Sequence, residues 1–162
     1  EERVVALASV HDALTRDGWQ GADLAAVVAG VVAPHCGVEA GRIRVHGPSL
    51  QLAPNQALGL AMALHELCTN AVKYGALKNP GGQVAVTWRV ETGDPRHLHL
   101  EWRETGGPTV QPPDHSGFGS RLIEQVAVSN LRGRIDMDWQ PQGLVCRIEA
   151  PLPAAEGRAG AA

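Results

Sequence analysis

The chain has 162 residues, 44% hydrophobic and 19% charged, which suits one domain with its own core and excludes a disordered chain. Its net charge of -3 speaks against a general nucleic-acid binder, which needs a basic surface to neutralise phosphates. No apolar run approaches the ~20 residues of a membrane span, so no membrane contact is expected.

The sequence opens without an initiator Met, inside an amphipathic segment, and is expected to be part of something longer. In VVALASVHDALTR, Val4, Leu7, Ala8, His11 and Leu14 share one helical stripe, which Gly18 interrupts. A second helix is predicted from about Ala22 to Ala33, stopping at Pro34. RIRVHG places Ile43 and Val45 in alternation with charges, and SLQLA carries Leu50 and Leu52. These predict a β-hairpin or two short paired strands. Pro54 opens a long helix, PNQALGLAMALHELCTNAVKYGA, at a position where its missing N–H would be unpaired anyway. Asn79, Pro80, Gly81 and Gly82 then make a turn.

Two strands follow with clean alternation. Val84, Val86, Trp88 and Val90 share one face of the first, and Leu98, Leu100 and Trp102 one face of the second. Their neighbours are polar, so one face is buried and one is wet. A Gly/Pro-rich loop from Thr105 to Ser116 precedes a helix starting near Gly117. Two last strands align Ile135, Met137 and Trp139, then Leu144, Cys146 and Ile148. The order ααββαββαββ predicts an α/β (α+β) two-layer sandwich, a mixed sheet with helices on one face. The tail beyond Pro153 is expected to be disordered. Cys36, Cys68 and Cys146 have no paired spacing, which fits a reducing compartment, and no CxxC or HxxxH spacing indicates zinc. Cys68 and Cys146 fall on apolar positions and read as core. His35, His46, His97, His99 and His115 read as surface residues.

At about 100° per residue the long helix divides into two faces. Ala57, Leu60, Ala61, Leu64, Leu67, Cys68, Ala71 and Val72 should pack on the sheet. Met62, Glu66, Thr69, Asn70 and Lys73 line the other side. A carboxylate, an amide oxygen and an ammonium on one line suit a metal–triphosphate ligand. The solvated face of any amphipathic helix presents the same stripe. Glu104 shares parity with Leu98, Leu100 and Trp102, so it points inward at a strand end and needs a partner. An adenine amino group and a nearby Arg are both candidates. GFGS (117–120) precedes an apolar helix, where glycines leave N–H groups open to an anion, or simply provide a hinge.

HELCTNAVKYGAL (65–77), LEWRETGGP (100–108) and GFGSRLIEQ (117–125) occur in that order. Together they resemble the N, G1 and G2 boxes of the GHKL ATP-binding superfamily. More narrowly they resemble the HWE histidine kinases, named for a His in the N box and a Trp-x-Glu in G1, here His65, Trp102 and Glu104. VVALASVHDALTRDGWQGADL (4–24) resembles the segment joining that family's dimerisation helices to its catalytic domain, and the resemblance covers roughly residues 4–152. It implies the GHKL histidine-kinase ATPase fold, with residues 1–18 as the end of the dimerisation helix and connector, 19–153 as the ATP-binding catalytic domain and 154–162 as the tail.

By position, the resemblance implies that Asn70 coordinates a Mg²⁺ bridging the ATP phosphates. Glu66, the N-box acid, is catalytic together with Asn70 and helps position the metal or its water, Lys73 contacts phosphate and Tyr74 flanks the nucleotide. Glu104 stands for the G1 acid that reads the adenine amino group. Gly106, Gly117, Phe118 and Gly119 belong to the nucleotide-binding segments. His65 lies about 100° around the helix from Glu66 and stands aside from phosphate. The implied reaction is in-line transfer of the ATP γ-phosphoryl group to a histidine on upstream dimerisation helices. The implied partners are those helices, a response regulator and a second copy in a homodimeric full-length protein, in the cytoplasm. His11, though followed by Asp12, falls in the connector rather than the acceptor box. Arg132–Gly133 replaces the family's Gly-Gly pair, which puts the helix-to-strand turn in question. The competing readings are a GHKL-type Ser/Thr kinase of the anti-sigma kind or an ATPase, and a non-enzymatic nucleotide-sensing module.

Overall fold

The computed structural model describes residues 21–35, 41–110 and 118–154. The expected first helix with His11, together with Cys36, His115, Gly117 and the tail beyond Ala154, lies outside the described residues.

The described elements are β1 (Ala22–Asp23), α1 (Leu24–Val32), β2 (Ile43–His46), β3 (Gln51–Leu52), α2 (Pro54–Lys73), β4 (Gln83–Glu91), β5 (His97–Thr105), α3 (Phe118–Ser129), β6 (Arg134–Gln140) and β7 (Gly143–Pro151). Short 3₁₀ turns follow α1 at Ala33–His35 and α2 at Ala76–Lys78. Pro34 therefore ends the α-helix by tightening it into a 3₁₀ turn. Pro54 stands in the first turn of α2, as its chemistry predicts.

Five strands form one mixed sheet in the order β2-β4-β5-β7-β6. β2 and β4 are parallel and the other neighbours antiparallel. The register stacks side chains into rows across the sheet. Val86, Trp102, Cys146 and Met137 form one, and Trp88, Leu100, Ile148 and Ile135 the next. The helices cover these rows. α2 is central, with α1 and α3 packed along either side. Leu24, Val28, Leu60, Leu64, Leu67, Trp102, Ile123 and Ile148 are all fully buried in the resulting core.

The alternate rows carry charge. Arg89, His99, Glu149 and Arg134 align across four strands. His99 Nε2 lies 2.7 Å from Glu91, Arg134 2.6 Å from Glu149 and Arg147 3.3 Å from Glu101. His99 is thus half-buried between two carboxylates rather than a plain surface residue. This face is held by opposite-charge cross-strand pairs.

Three expectations are corrected. β2 and β3 do not pair with each other: β2 joins β4, and β3 pairs antiparallel with β1 in a separate two-stranded ribbon. The chain leaves β2 at Gly47, which lies against the Trp88 ring, and the Trp88 indole N–H donates to Pro48 O at 2.8 Å. Pro48 has no N–H to donate, so the β2 ladder does not continue through it. Val45, on the sheet edge, is 37% exposed, and Val72, expected on the sheet side of α2, is 42% exposed. Glu66, expected on the open side, is 7% exposed. α2 is flanked by two helices as well as the sheet, so its buried sector is wider than half and takes in Gln56, Ala63 and Glu66.

The turn between α3 and β6 closes without the glycine pair. Asn130 and Leu131 N–H groups both return to Val126 O, at 2.9 and 3.3 Å, and Arg132 takes the left-handed φ of 51°. Among the described residues, no helix is long and apolar enough to cross a membrane.

Candidate functional site

Burial along the polar stripe of α2 falls toward the helix end. Glu66 is buried, Asn70 half-buried, Lys73 exposed and Tyr74 73% exposed. From Glu66 onward the stripe therefore opens to solvent over the last two turns of the helix. The helix ends because the chain turns at Tyr74 and Gly75, whose N–H groups both donate to Asn70 O, at 2.8 and 3.0 Å. The next amide, Ala76 N–H, leaves the helical ladder and donates to Glu104 Oε2 at 2.8 Å.

Glu104 reaches this point through strand parity. It stands opposite Val84, on the same face as Trp102, and is 3% exposed. Its other oxygen, Oε1, accepts the Trp102 indole N–H at 3.0 Å. The partner anticipated among ligand amines and arginines is thus, within the protein, a backbone amide and an indole. Burial pushes the Glu104 carboxyl above its ordinary value, and the Ala76 and Trp102 donors pull it partly back. Each carboxylate oxygen has two acceptor sites and spends one on the protein, so capacity for a further donor remains.

Two glycines make this approach feasible. A Cβ at Gly75 would collide with the Glu104 carboxylate. Gly106, just beyond β5, has φ of 72° and lies against Gly81 and Gly82, in the turn that follows α2. The end of α2, with Asn70, Lys73 and Tyr74, thus meets Glu104 and Gly106 around one turn. Glu66 lies deeper along the helix. Phe118 and Gly119 open α3, while Gly117 lies outside the described residues. His65 faces elsewhere: its ring centroid is 5.5 Å from that of His35, at the end of the 3₁₀ turn after α1.

The sequence reading missed four contributors: the Ala76 amide, the Trp102 indole donor, the space at Gly75, and Arg42, which binds the same turn. Trp102 was legible as an i, i+2 neighbour of Glu104 on one strand face. Arg42 had no local signal. The amide oxygen of Asn70 is a hard donor that suits Mg²⁺ alongside phosphate oxygens. Among the described residues, no group of three or more His, Cys, Asp or Glu side chains is gathered as a metal cage. A cavity of about 390 Å³ lined by Thr87, Arg89, His99, Glu101, Arg147 and Glu149 lies on the opposite, charged face of the sheet, away from Glu104.

Comparison with known proteins bears on the family and the fold. Residues 1–49 match the family model described as HWE histidine kinase. A blue-light-activated histidine kinase of Brucella anthropi is 40% identical over 154 residues, which cover 94% of this chain and 31% of that protein. That of Brucella ovis is 37% identical over 152 residues, covering 93% and 31%. The chain therefore spans about a third of the length of these curated relatives. The histidine kinase domain of the Erythrobacter litoralis EL346 blue-light activated histidine kinase superposes with a TM-score of 0.73 at 20% identity, covering 93% of this chain and 73% of that one. The histidine kinase domain of the E. coli osmosensor EnvZ superposes with a TM-score of 0.57 at 19% identity, covering 89% and 95%. At these identities the structures show the fold.

Proposed function

The chain belongs to the HWE histidine kinase family, and on that premise we propose that residues 19–153 are the ATP-binding catalytic domain of a two-component sensor kinase. On this reading residues 1–18 are the end of its dimerisation helix and connector. The domain transfers the ATP γ-phosphoryl group to a histidine on upstream dimerisation helices, and a response regulator takes it on. The full-length protein works as a homodimer in the cytoplasm, where ATP and reduced thiols are present.

The observation that carries the reading is Glu104: a buried carboxylate at the end of the polar helix stripe, with unused acceptor capacity beside a glycine turn. It accepts the adenine amino group. Gly106 lets backbone lie close to the base, and Tyr74, exposed at the helix end, packs beside the nucleotide. Lys73 meets phosphate charge, and Asn70 offers its amide oxygen to the phosphate-bound Mg²⁺. That ion neutralises the phosphate charge that otherwise repels a nucleophile. Glu66, one turn before Asn70 in the packed part of α2, helps position the metal or its water, and Phe118 and Gly119 with Gly117 belong to the second glycine segment. The domain's contribution is positioning and charge neutralisation, and the acceptor imidazole supplies the attacking nitrogen.

Saturating ATP with Mg²⁺ is expected to raise the melting temperature by mass action, and Asn70→Ala to remove the Mg²⁺-dependent part of that rise. No thermal shift in the unchanged chain refutes the nucleotide site. With labelled ATP and the upstream helices supplied in trans, acid-labile, base-stable phosphate on the helices is the expected product. Phosphate on Ser or Thr, or none, refutes histidine transfer.

A further inference from the structure

Arg42 lies just ahead of β2, far in sequence from the site residues at the end of α2 and on β5. Its side chain crosses to the segment between α2 and β4. Nε donates to Gly82 O at 2.9 Å, and one terminal nitrogen donates to Leu77 O at 3.2 Å and to Asn79 O. Its own carbonyl accepts the Val84 N–H at 2.8 Å, which fixes the Arg42 backbone to the start of β4. One guanidinium thus gathers carbonyls from both ends of the turn that begins at Ala76. A planar fork of donors can do this; a single ammonium cannot reach all three acceptors with the same geometry. The carbonyls at the end of a helical turn also favour a cation.

The first residue of that turn holds Glu104. The connection is short: Arg42 to Leu77 O, Ala76 N–H to Glu104 Oε2. Gly106 leans on the same turn through Gly81 and Gly82. We infer that Arg42 is a positioning residue for base recognition: by fastening the turn at 76–82 it sets the direction of the Glu104 carboxylate. The inference rests on the reading of Glu104 as the group that meets the adenine amine. A base with a carbonyl in that position, as in GTP, presents an acceptor to a carboxylate and is rejected, and the rejection is sharp only if the carboxylate is held still.

The test uses the 162-residue chain with Arg42→Met, which keeps the aliphatic stem, and Arg42→Lys, which keeps the charge. Amide hydrogen exchange is measured without nucleotide, and ATP and GTP affinities are measured with Mg²⁺ by calorimetry. In Arg42→Met, exchange at Ala76 is expected to accelerate while β4 and β5 stay protected. The preference for ATP over GTP is expected to fall about tenfold, the effect of loosening one hydrogen bond to a charged group. Arg42→Lys should recover part of both and decides the matter if Arg42→Met does not fold. An unchanged ATP:GTP ratio in a variant that binds ATP overturns the inference alone, as does unchanged exchange at Ala76. Failure of the unchanged chain to bind ATP overturns the nucleotide reading and the inference with it.

Discussion

Trp102→Phe separates the two things Trp102 does. The ring is fully buried, between Val86 and Cys146 in its row, and its indole N–H donates to Glu104 Oε1 at 3.0 Å. Phenylalanine keeps an aromatic in the core and removes the donor. The packing loss, from a smaller ring in the same space, is about 1–2 kcal/mol and is the same at every pH. The hydrogen bond behaves differently. A donor to an ionised carboxylate contributes about 1.5–3 kcal/mol and one to a neutral group about 0.5–1.5, so about 1 kcal/mol of the effect exists only where Glu104 is charged. Burial raises the Glu104 pKa above 4.5 in the folded protein. Its contribution to stability is therefore fully present below 4.5 and is lost as pH rises through the folded pKa. The indole pulls that pKa down, so removing it moves the folded value further up and enlarges the loss on the alkaline side. Urea unfolding followed by far-UV circular dichroism should give a destabilisation of about 1–2 kcal/mol at pH 4 and about 1 kcal/mol more at pH 8. An equal destabilisation at both pH values would show that the indole–carboxylate bond contributes nothing beyond packing.

Arg132→Gly should stabilise the protein by about 0.5–1 kcal/mol in the same assay, because a side chain at φ of 51° carries a strain that glycine does not, offset in part by the freer unfolded chain. No gain would mean that the left-handed turn is held at no cost. Cys68 and Cys146 are both fully buried, and burial pushes the Cys146 thiol up to about 12. Iodoacetamide at pH 8 should leave both unmodified in the native state and alkylate both in urea, as read by peptide mass spectrometry. Native alkylation of Cys146 would refute its place in the core.

Features with a local cause were the ones legible in the sequence. Alternation placed Val84, Val86, Trp88, Leu98, Leu100 and Trp102 on one covered face, and Pro54 marked a helix start, because both depend only on neighbours in the chain. The inward direction of Glu104 followed from the same parity. Pairing partners were not legible: RIRVHG and SLQLA are adjacent and short, which favours a hairpin on distance alone, yet β2 finds β4 about forty residues on. A helical wheel gives the angle between Glu66 and Val72 but not the number of elements around the helix. With α1 and α3 both alongside, the buried sector shifted to include Glu66 and leave Val72 out. The donors to Glu104 come from a turn 28 residues earlier and from a Trp already assigned to packing. The roles given to Asn70, Lys73 and the glycine segments rest on family resemblance, since helical geometry alone favoured a solvated face for the stripe of Asn70 and Lys73.

The burial gradient along α2 has a consequence for how this helix tolerates change. From Gln56 to Cys68 most positions are enclosed, with Leu58, Met62 and His65 half-buried, so most substitutions there should register as lost soluble protein. Its final turns, from Thr69 to Lys73, are open, with only Ala71 fully covered. Changes at its open positions leave folding intact and register in ligand affinity, while Ala71 belongs with the enclosed part. A variant library across this one helix, sorted first for abundance and then for nucleotide retention, should therefore divide at the turn between Cys68 and Asn70. Sequence drift among descendants of this chain would obey two different filters on either side of that point.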